Sequence, residues 1–474
     1  RFLLAFCIIC LLGPLLAGCI FDETGSLRLT VPAVAAGEIQ KMLGEGFREY
    51  EVKPELYFDG HSLAYDSAED VYYITQNMGD GFFSGVLKSS EGRLYWQKDR
   101  YFTEFADALA KGHLFSLYCI DEDTKNWCRY RVVFSGMPIM VIETQDGGMI
   151  RDDTCDGEMR LFDLRFPGRE YVSASCQTNI RGGTSRGFAK KGYKLTLDDK
   201  QSLLGMRRDE DWILAALYDD HGLIHNKFSY DVWRDIAGSN LVKKDGGTTM
   251  EYVELFCNDT YLGVYGLIER IDAKELSLGE TEDILYKCYG RELPEESLDW
   301  IPVLDKAYEI KYPAEEDPAN WQPLQEYLEV FTDKDGIADY EQAVSLLNME
   351  NAVDHNLFIM LSYGCDNNRR KNTFFLAEWG GNANPGYTMI KIPWDCNATW
   401  GNFWRRGEEF NNTIYEPVRI TDPNLWSEDM KALFLCRPDE IGELMRRRWS
   451  ELRRDILSQE RLVAMLDGEF SYLH

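Results

Sequence analysis

The sequence predicts an α+β protein in which a β-rich, sandwich-like N-terminal domain precedes a larger domain of mixed helices and strands. Short strand patterns separated by turn signals, such as Asp59-Gly60 and Glu91-Gly92, dominate the first part of the chain. From Met137 onward, strand patterns alternate with segments whose apolar residues have helical spacing. The chain has 474 residues, 45% of them hydrophobic and 13% aromatic, so it can bury more than one sizeable core.

Residues 1–18 are predicted to be a secretory signal peptide. Arg1 precedes an apolar stretch, Phe2 to Leu16, that is too short to span a membrane comfortably. The following Ala17-Gly18-Cys19 is similar to the end of a bacterial lipoprotein signal, which implies cleavage before Cys19 and a lipid on that cysteine. We therefore expect an extracytoplasmic protein that is anchored to the membrane by its lipid.

Residues 20–134 are predicted to form the β-rich domain, either as one β-sandwich or as two small β modules. The strand patterns span 26–31, 55–57, 71–74, 82–88, 114–119 and 130–134. Cys119 and Cys128 flank an acidic turn and are the best placed cysteines for a local disulfide. Because this region contains no catalytic constellation, we expect a spacer or a binding module.

The predicted mixed domain spans residues 136–465 and contains a glycine turn followed by a basic strand. Gly183 to Gly187 fits G-x-S-x-G, the nucleophile elbow of α/β-hydrolases, but that motif requires a helix after the serine, Ser185. The stretch Tyr193 to Leu197 instead alternates apolar and polar residues as a strand does. A glycine hairpin that covers phosphates fits this context better than a hydrolase.

The most informative chemical signal is the order of Asp366, Asn372 and Asp395. Apolar spacing predicts a helix over 348–365, so Asp366 lies where this helix gives way to a loop. Strands are predicted over 373–376 and 387–393, around a turn at 380–386, and Asp395 follows the second strand. Phosphotransferases hold a base and two magnesium ligands in this order, since the reaction needs a proton acceptor and hard oxygen donors. The alternative is that both aspartates only cap turns.

Two further segments complete the predicted organisation of the chain. The acidic, proline-containing run 292–317 is predicted to be an insertion between lobes. Apolar residues at helical spacing predict an amphipathic helix over 441–457.

In the order of its sequence blocks, the chain resembles the CotH kinase-like proteins, a family named after a spore-coat protein with an atypical protein kinase fold. The resemblance extends over residues 136–465. It rests on the following blocks: Met137-Pro138-Ile139, Ile180-Arg181-Gly182-Gly183, Lys190 to Lys194, Leu203 to Met206, Asp211 to Leu217, Asp220, Asn226-Lys227, Gly263-Val264-Tyr265 with Glu269, Asp366 with Asn372, and Ile392 to Asp395 with Trp400-Gly401.

This resemblance implies a protein kinase that transfers the γ-phosphate of ATP to Ser or Thr of a surface or spore-coat protein. It implies that Asp366 is the catalytic base and that Asn372 and Asp395 bind Mg²⁺. It also implies nucleotide contacts from four residues: Arg181, Lys191, Lys194 and Glu269. Strand alternation leaves open which of the two lysines faces the nucleotide, and a salt bridge with a basic neighbour is the alternative role for Glu269.

The chain departs from the family pattern at two positions near these residues. The family usually has Arg at the position of His225 and often has an acidic residue at the position of Asn397. A noncatalytic surface or coat-assembly module that keeps the fold is therefore the competing function.

The formal net charge of -29 disfavours nucleic-acid binding. The same charge requires any ATP site to gather its basic residues locally. The stretches Arg181 to Lys194 and Arg369-Arg370-Lys371 do so.

Overall fold

The computed structural model describes residues 31–76, 86–165, 170–244, 246–278, 282–289, 307–313, 320–332, 336–364, 366–367, 371–403, 411–412 and 426–473. Helices and strands are mixed throughout these ranges, as the predicted α+β class requires. The predicted signal peptide, Cys19 and nearly all of the strand predicted over 26–31 lie outside the described residues.

The described part of residues 33–135 contains two sheets, two short α-helices and a 3₁₀ turn, Arg100–Phe102. The larger sheet has the order β1-β8-β9-β10-β6-β5, with β2 paired to β10, and the smaller has the order β4-β3-β7. The strands are β1 (Ala33–Val34), β2 (Arg48–Glu49), β3 (Leu56–Phe58), β4 (His61–Ser62), β5 (Ala64–Asp66), β6 (Val71–Thr75), β7 (Leu87–Ser89), β8 (Arg93–Gln97), β9 (Leu114–Asp121) and β10 (Asn126–Ser135). The helices, which the strand patterns did not predict, are α1 (Ala36–Met42) and α2 (Phe105–Ala110).

Cys119 and Cys128 lie directly opposite each other on β9 and β10. Both are buried free thiols, and Cys119 Sγ donates a hydrogen bond to the carbonyl of Glu91 at 3.0 Å. The structure thus brings the predicted cysteine pair together as two thiols.

A closed barrel of seven strands follows, in the order β11-β12-β13-β14-β15-β17-β16. Its strands are β11 (Ile139–Thr144), β12 (Cys155–Phe162), β13 (Tyr171–Arg181), β14 (Gly192–Ser202), β15 (Arg208–Ala215), β16 (Met250–Cys257) and β17 (Thr260–Glu269). The parallel pair β11 and β16 closes it. Tyr193, Leu195 and Leu197 point into its core, as alternation along β14 predicts.

The chain between β13 and β14 does not form the helix that a nucleophile elbow at Ser185 would need. It forms a 3₁₀ turn, Thr184–Gly187, and then enters a strand. The strand-turn-strand context predicted from the sequence is confirmed, and the hydrolase alternative loses its structural requirement.

The remaining residues form a four-stranded sheet, order β19-β18-β20-β21, with helices around it. Its strands are β18 (Ile284–Cys288), β19 (Tyr308–Tyr312), β20 (Thr373–Trp379) and β21 (Tyr387–Pro393), and two short strands, β22 (Asn402–Phe403) and β23 (Asn411–Asn412), pair separately. The helices are α3 (His225–Ala237), α4 (Gln322–Phe331), α5 (Tyr340–Ser345), α6 (Met349–Ser362), α7 (Glu428–Cys436), α8 (Pro438–Leu452) and α9 (Gln459–Leu473).

Most sequence predictions for this region are confirmed, with one correction. The predicted helix before Asp366 is α6, the predicted hairpin is β20 with β21, and the predicted amphipathic helix is α8. Residues 308–312 were predicted to belong to an insertion but form β19, which pairs with β18. Among the described helices, none combines the length and the apolar composition needed to cross a membrane.

A buried ion pair joins the hairpin to the helices. Lys391 on β21 and Asp429 on α7 are 1% and 0% exposed, and the ammonium donates to the carboxylate. The side-chain amide of Asn351 on α6 forms two hydrogen bonds with the backbone of Lys391. Its Oδ1 accepts from the Lys391 N–H at 2.7 Å, and its Nδ2 donates to the Lys391 carbonyl at 3.0 Å. Because each buried charge has its partner, this contact fixes the position of β21 against α6 and α7.

We expect Lys391→Met to lower the free energy of unfolding by about 3–5 kcal/mol, because Asp429 would remain buried without its cation. Urea denaturation followed by circular dichroism measures this loss. The double variant Lys391→Met/Asp429→Leu should recover most of it, and Lys431→Met, at an exposed site on α7, serves as the control. An unchanged unfolding midpoint in the single variant would contradict the assigned role of the pair.

Candidate functional site

Asp366 and Asn372 lie together in the turn between α6 and β20. The turn begins at Tyr363, which ends α6 in the left-handed conformation with φ of 53°. The Asp366 carboxylate accepts hydrogen bonds from Asn372 Nδ2 at 2.8 Å and from Lys371 Nζ at 2.9 Å. The structure therefore brings the predicted base and one predicted metal ligand into direct contact.

Asp395 lies beside Asn372 at the open end of the hairpin. The Trp394 N–H donates to the carbonyl of Asn372 at 2.9 Å, which places the next residue, Asp395, against the same turn. Asn372 and Asp395 have φ of 58° and 53°, a region that Asn and Asp enter more readily than other side chains. The exposed Asp395 carboxylate accepts no hydrogen bond from any residue that the structure describes.

Asn367 holds these two segments together, and the sequence reasoning missed it. Its fully buried side-chain amide donates to the carbonyls of Asn372 at 3.1 Å and Trp394 at 2.7 Å. One amide group thereby sets the spacing between the Asp366 turn and the Asp395 end of the hairpin. The only signal in the sequence is its position directly after Asp366.

Arg181 and Lys287 bring positive charge to Asp395 from two different sheets. Arg181 ends β13, and burial lowers the pKa of its guanidinium while the Asp395 carboxylate opposes that change. Lys287 lies on β18, where burial, followed by Arg181 and Lys311, lowers its pKa to about 8, and Asp395 opposes this. Neither cation donates a hydrogen bond to a described residue. We refer to Arg181 and Lys287 as the cation pair.

Asp219 supplies a second carboxylate near Asp395. It lies between β15 and α3 and accepts a hydrogen bond from Asn397 Nδ2. Burial, followed by the charge of Asp395, raises the pKa of Asp219 to about 6. Asp395 thus interacts electrostatically with a second carboxylate, Asp219, and with both members of the cation pair.

Lys191 and Lys194 have their contacts outside this group of residues. Lys191 Nζ donates to the carbonyl of Arg186 at 2.7 Å, and the exposed Lys194 lies 3.8 Å from the Asp211 carboxylate. Lys190, which is half-buried, has its Nζ 4.3 Å from the Tyr265 ring centroid, and burial lowers its pKa to about 8. The structure gives neither predicted lysine a contact with Asp366, Asn372 or Asp395.

Glu269 is buried at the end of β17. Its carboxylate accepts the backbone N–H of Arg207 at 2.7 Å. The Arg207 side chain forms ion pairs with Asp209, Asp272 and Glu275. Glu269 therefore belongs to a network centred on Arg207, which is similar to the salt bridge considered as its alternative role. The nucleotide contact implied by the resemblance stays a prediction.

The oxygen donors at the site fit a magnesium ion. Asn372 donates a hydrogen bond from its Nδ2 to the Asp366 carboxylate. Neither the Asn372 Oδ1 nor the Asp395 carboxylate accepts a hydrogen bond from a described residue. Among the described residues, no group of three or more His, Cys, Asp or Glu is arranged to hold a metal. Two protein oxygens suffice, because magnesium usually keeps several waters and binds through one or two carboxylates together with substrate phosphates.

Comparison with known proteins identifies the matched part of the chain. A family model described as CotH kinase protein matches residues 178–468. The match begins within β13 and includes the Asp366 turn, Asp395 and the cation pair. No curated protein matches the chain.

We expect Asn367→Ala to lower the free energy of unfolding by about 1–3 kcal/mol, since the buried carbonyl of Trp394 would lose its side-chain donor. Thermal denaturation and hydrogen exchange of residues 371–395 provide the measurement. Asn382→Ala removes an exposed amide from the turn of the same hairpin and should change stability by less than about 0.5 kcal/mol. Equal effects of the two substitutions would show that Asn367 does not hold the site together.

Proposed function

Because the chain belongs to the CotH kinase protein family, we propose that it is an atypical protein kinase that transfers the γ-phosphoryl group of ATP to a Ser or Thr hydroxyl of a surface or spore-coat protein. The observation that carries this proposal is the cation pair, which interacts electrostatically with Asp395 and has no hydrogen-bonding partner among the described residues. Cations without partners beside oxygen donors suit a polyphosphate with its metal ion.

Six residues of the site have a role in this reaction. Asp366 accepts the proton of the attacking hydroxyl, while Asn372 and Asp395 hold magnesium through their oxygens. The bound metal supplies neutralisation of phosphate charge. The cation pair binds the phosphates from the barrel side and from the hairpin side. Asn367 keeps the base and the metal-binding residues at a constant separation.

The overall charge of the protein makes this local arrangement informative. A formal net charge of -29 repels a nucleotide at long range. Two cations lie together at the site: burial lowers the pKa of both, and the charge of Arg181 lowers that of Lys287 further. Binding of a phosphate group would remove the repulsion between these cations, which favours an anionic substrate over a neutral one.

We also propose that the enzyme acts outside the cytoplasm, held to the membrane by a lipid on Cys19. An acceptor exposed at the surface is the matching partner class. The sheets of residues 33–135 would then act as a spacer or as a binding module for that acceptor.

A noncatalytic assembly module with the same nucleotide site is the second candidate. Its support is the ion pair of Lys371 with the Asp366 carboxylate at 2.9 Å. That contact would have to open, or Lys371 would have to turn to the phosphates, before Asp366 could act as a base. Binding and turnover experiments separate the two functions.

We expect the purified full chain to bind ATP in a magnesium-dependent manner, because protein oxygens and substrate phosphates share the metal. Isothermal titration with and without magnesium measures this, and Asp395→Asn should lower MgATP affinity by about tenfold or more. The control is Asp199→Asn, an exposed carboxylate on β14. A folded wild-type chain without detectable MgATP binding would overturn the proposed function.

We expect Asp366→Asn to retain MgATP binding and to lower phosphoryl transfer by about 10²–10⁴-fold, because the amide accepts no proton. Transfer from radiolabelled ATP to the protein itself and to surface-protein extracts, together with ATP hydrolysis, provides the readout. If the wild-type chain binds MgATP but turns it over no faster than the variant, the noncatalytic module replaces the kinase.

A further inference from the structure

Lys287 is the cation on the same sheet as the Asp395 hairpin. It lies opposite Phe374 in the pairing of β18 with β20. Its Nζ lies 5.2 Å from the ring centroid of Phe374 and 5.1 Å from those of Trp394 and Tyr289. Since Trp394 immediately precedes Asp395, these rings hold the ammonium at the end of the hairpin where the metal-binding oxygens lie.

The surroundings of Lys287 attract its charge but, within the described ranges, offer its hydrogens no acceptor. Three aromatic faces favour a cation. Charges of both signs act on Lys287. Arg181 and Lys311 repel its ammonium, and Asp395 and Glu309 attract it. Even so, the ammonium donates no hydrogen bond to a residue that the structure describes. The three N–H groups of this lysine are therefore available to an oxyanion.

Lys311, the other lysine near Lys287, already forms an ion pair. Its Nζ forms an ion pair with Glu309 of the same strand. Arg181 belongs to the barrel, whereas Lys287 shares a sheet with the segment that carries Asn372 and Asp395. The two members of the cation pair thus approach a bound polyphosphate from different sides.

We propose that Lys287 donates hydrogen bonds to the γ-phosphoryl group of ATP and neutralises its charge during transfer. This role rests on the proposed function. The reacting phosphoryl group must lie beside Asp366 and Asp395, which is the end of the hairpin where Lys287 is held. Arg181 then binds the phosphates that remain on ADP.

The transfer step is balanced without any proton from Lys287. A bond forms between the acceptor oxygen and the γ-phosphorus while the bond from that phosphorus to the bridging oxygen breaks. The electron pair of the broken bond leaves with ADP, and the hydroxyl proton passes to Asp366. Lys287 remains an ammonium, since the negative charge stays on the oxygens of the transferred group.

The test compares MgATP with MgADP binding to the full chain by isothermal titration. We expect Lys287→Met to weaken MgATP binding by about tenfold to 100-fold, because a hydrogen bond to a charged group is lost. MgADP affinity should stay within about twofold, which also shows that the variant is folded. Lys287→Arg should recover much of the difference, and Lys431→Met, at an exposed position on α7, should change neither affinity.

The possible outcomes separate this role from the proposed function. Equal losses for both nucleotides, or no loss for either, overturn the role of Lys287 and leave the kinase proposal intact. Absence of MgATP binding by the wild-type chain overturns both. If Lys287→Met does not fold, Lys287→Gln takes its place, because it keeps a polar side chain of similar length, and the same comparison of nucleotides decides.

Discussion

The side-chain amide of Asn367 is the contact on which the geometry of the site depends. It donates to two backbone carbonyls, one in the turn that carries Asp366 and one at the end of the hairpin that carries Asp395. These segments follow different elements, α6 and β21, which are themselves joined by hydrogen bonds between the Asn351 side-chain amide and the Lys391 backbone. A polar contact that is fully buried tolerates little displacement, because a lost partner leaves an unsatisfied group. Asp366, the proposed base, and Asp395, the proposed metal ligand, therefore keep one spacing.

Electrostatics explains why the site is assembled from several elements. The barrel contributes Arg181, the neighbouring sheet contributes Lys287, and loops contribute Asp219 and Asp395. Positive charges on a single surface stretch, such as Lys191 and Lys194, are solvated or paired with nearby groups. Charges that come from different elements are held together by packing and remain partly desolvated, which strengthens their interaction with a phosphate. Such packing would allow a strongly acidic protein to hold the proposed phosphate site.

Local sequence patterns predicted those helices and strands that are encoded by a short stretch of residues. Alternation and turn residues located β20 and β21, and helical spacing located α6, so the order of Asp366, Asn372 and Asp395 was available from the sequence. Lys287 was not, because a lysine in the apolar strand Ile284–Cys288 resembles an edge lysine until Phe374 and Trp394, far along the chain, are known to surround it. Closure of the barrel through the parallel pairing of β11 and β16 is equally nonlocal.

The two departures from the family pattern have a common structural consequence. His225 Nδ1 lies 2.6 Å from an Asp220 carboxylate oxygen, and the His225 N–H donates to the other oxygen at 2.8 Å. Asn397 likewise donates to Asp219. An acidic side chain at position 397 would add a negative charge beside Asp219 and Asp395, whereas the amide satisfies Asp219 without adding charge. His225 and Asn397 therefore hydrogen-bond to neighbouring aspartates rather than to Asn372 or Asp395. The departures alter the support of the site, while the oxygens and cations proposed to meet the nucleotide are retained.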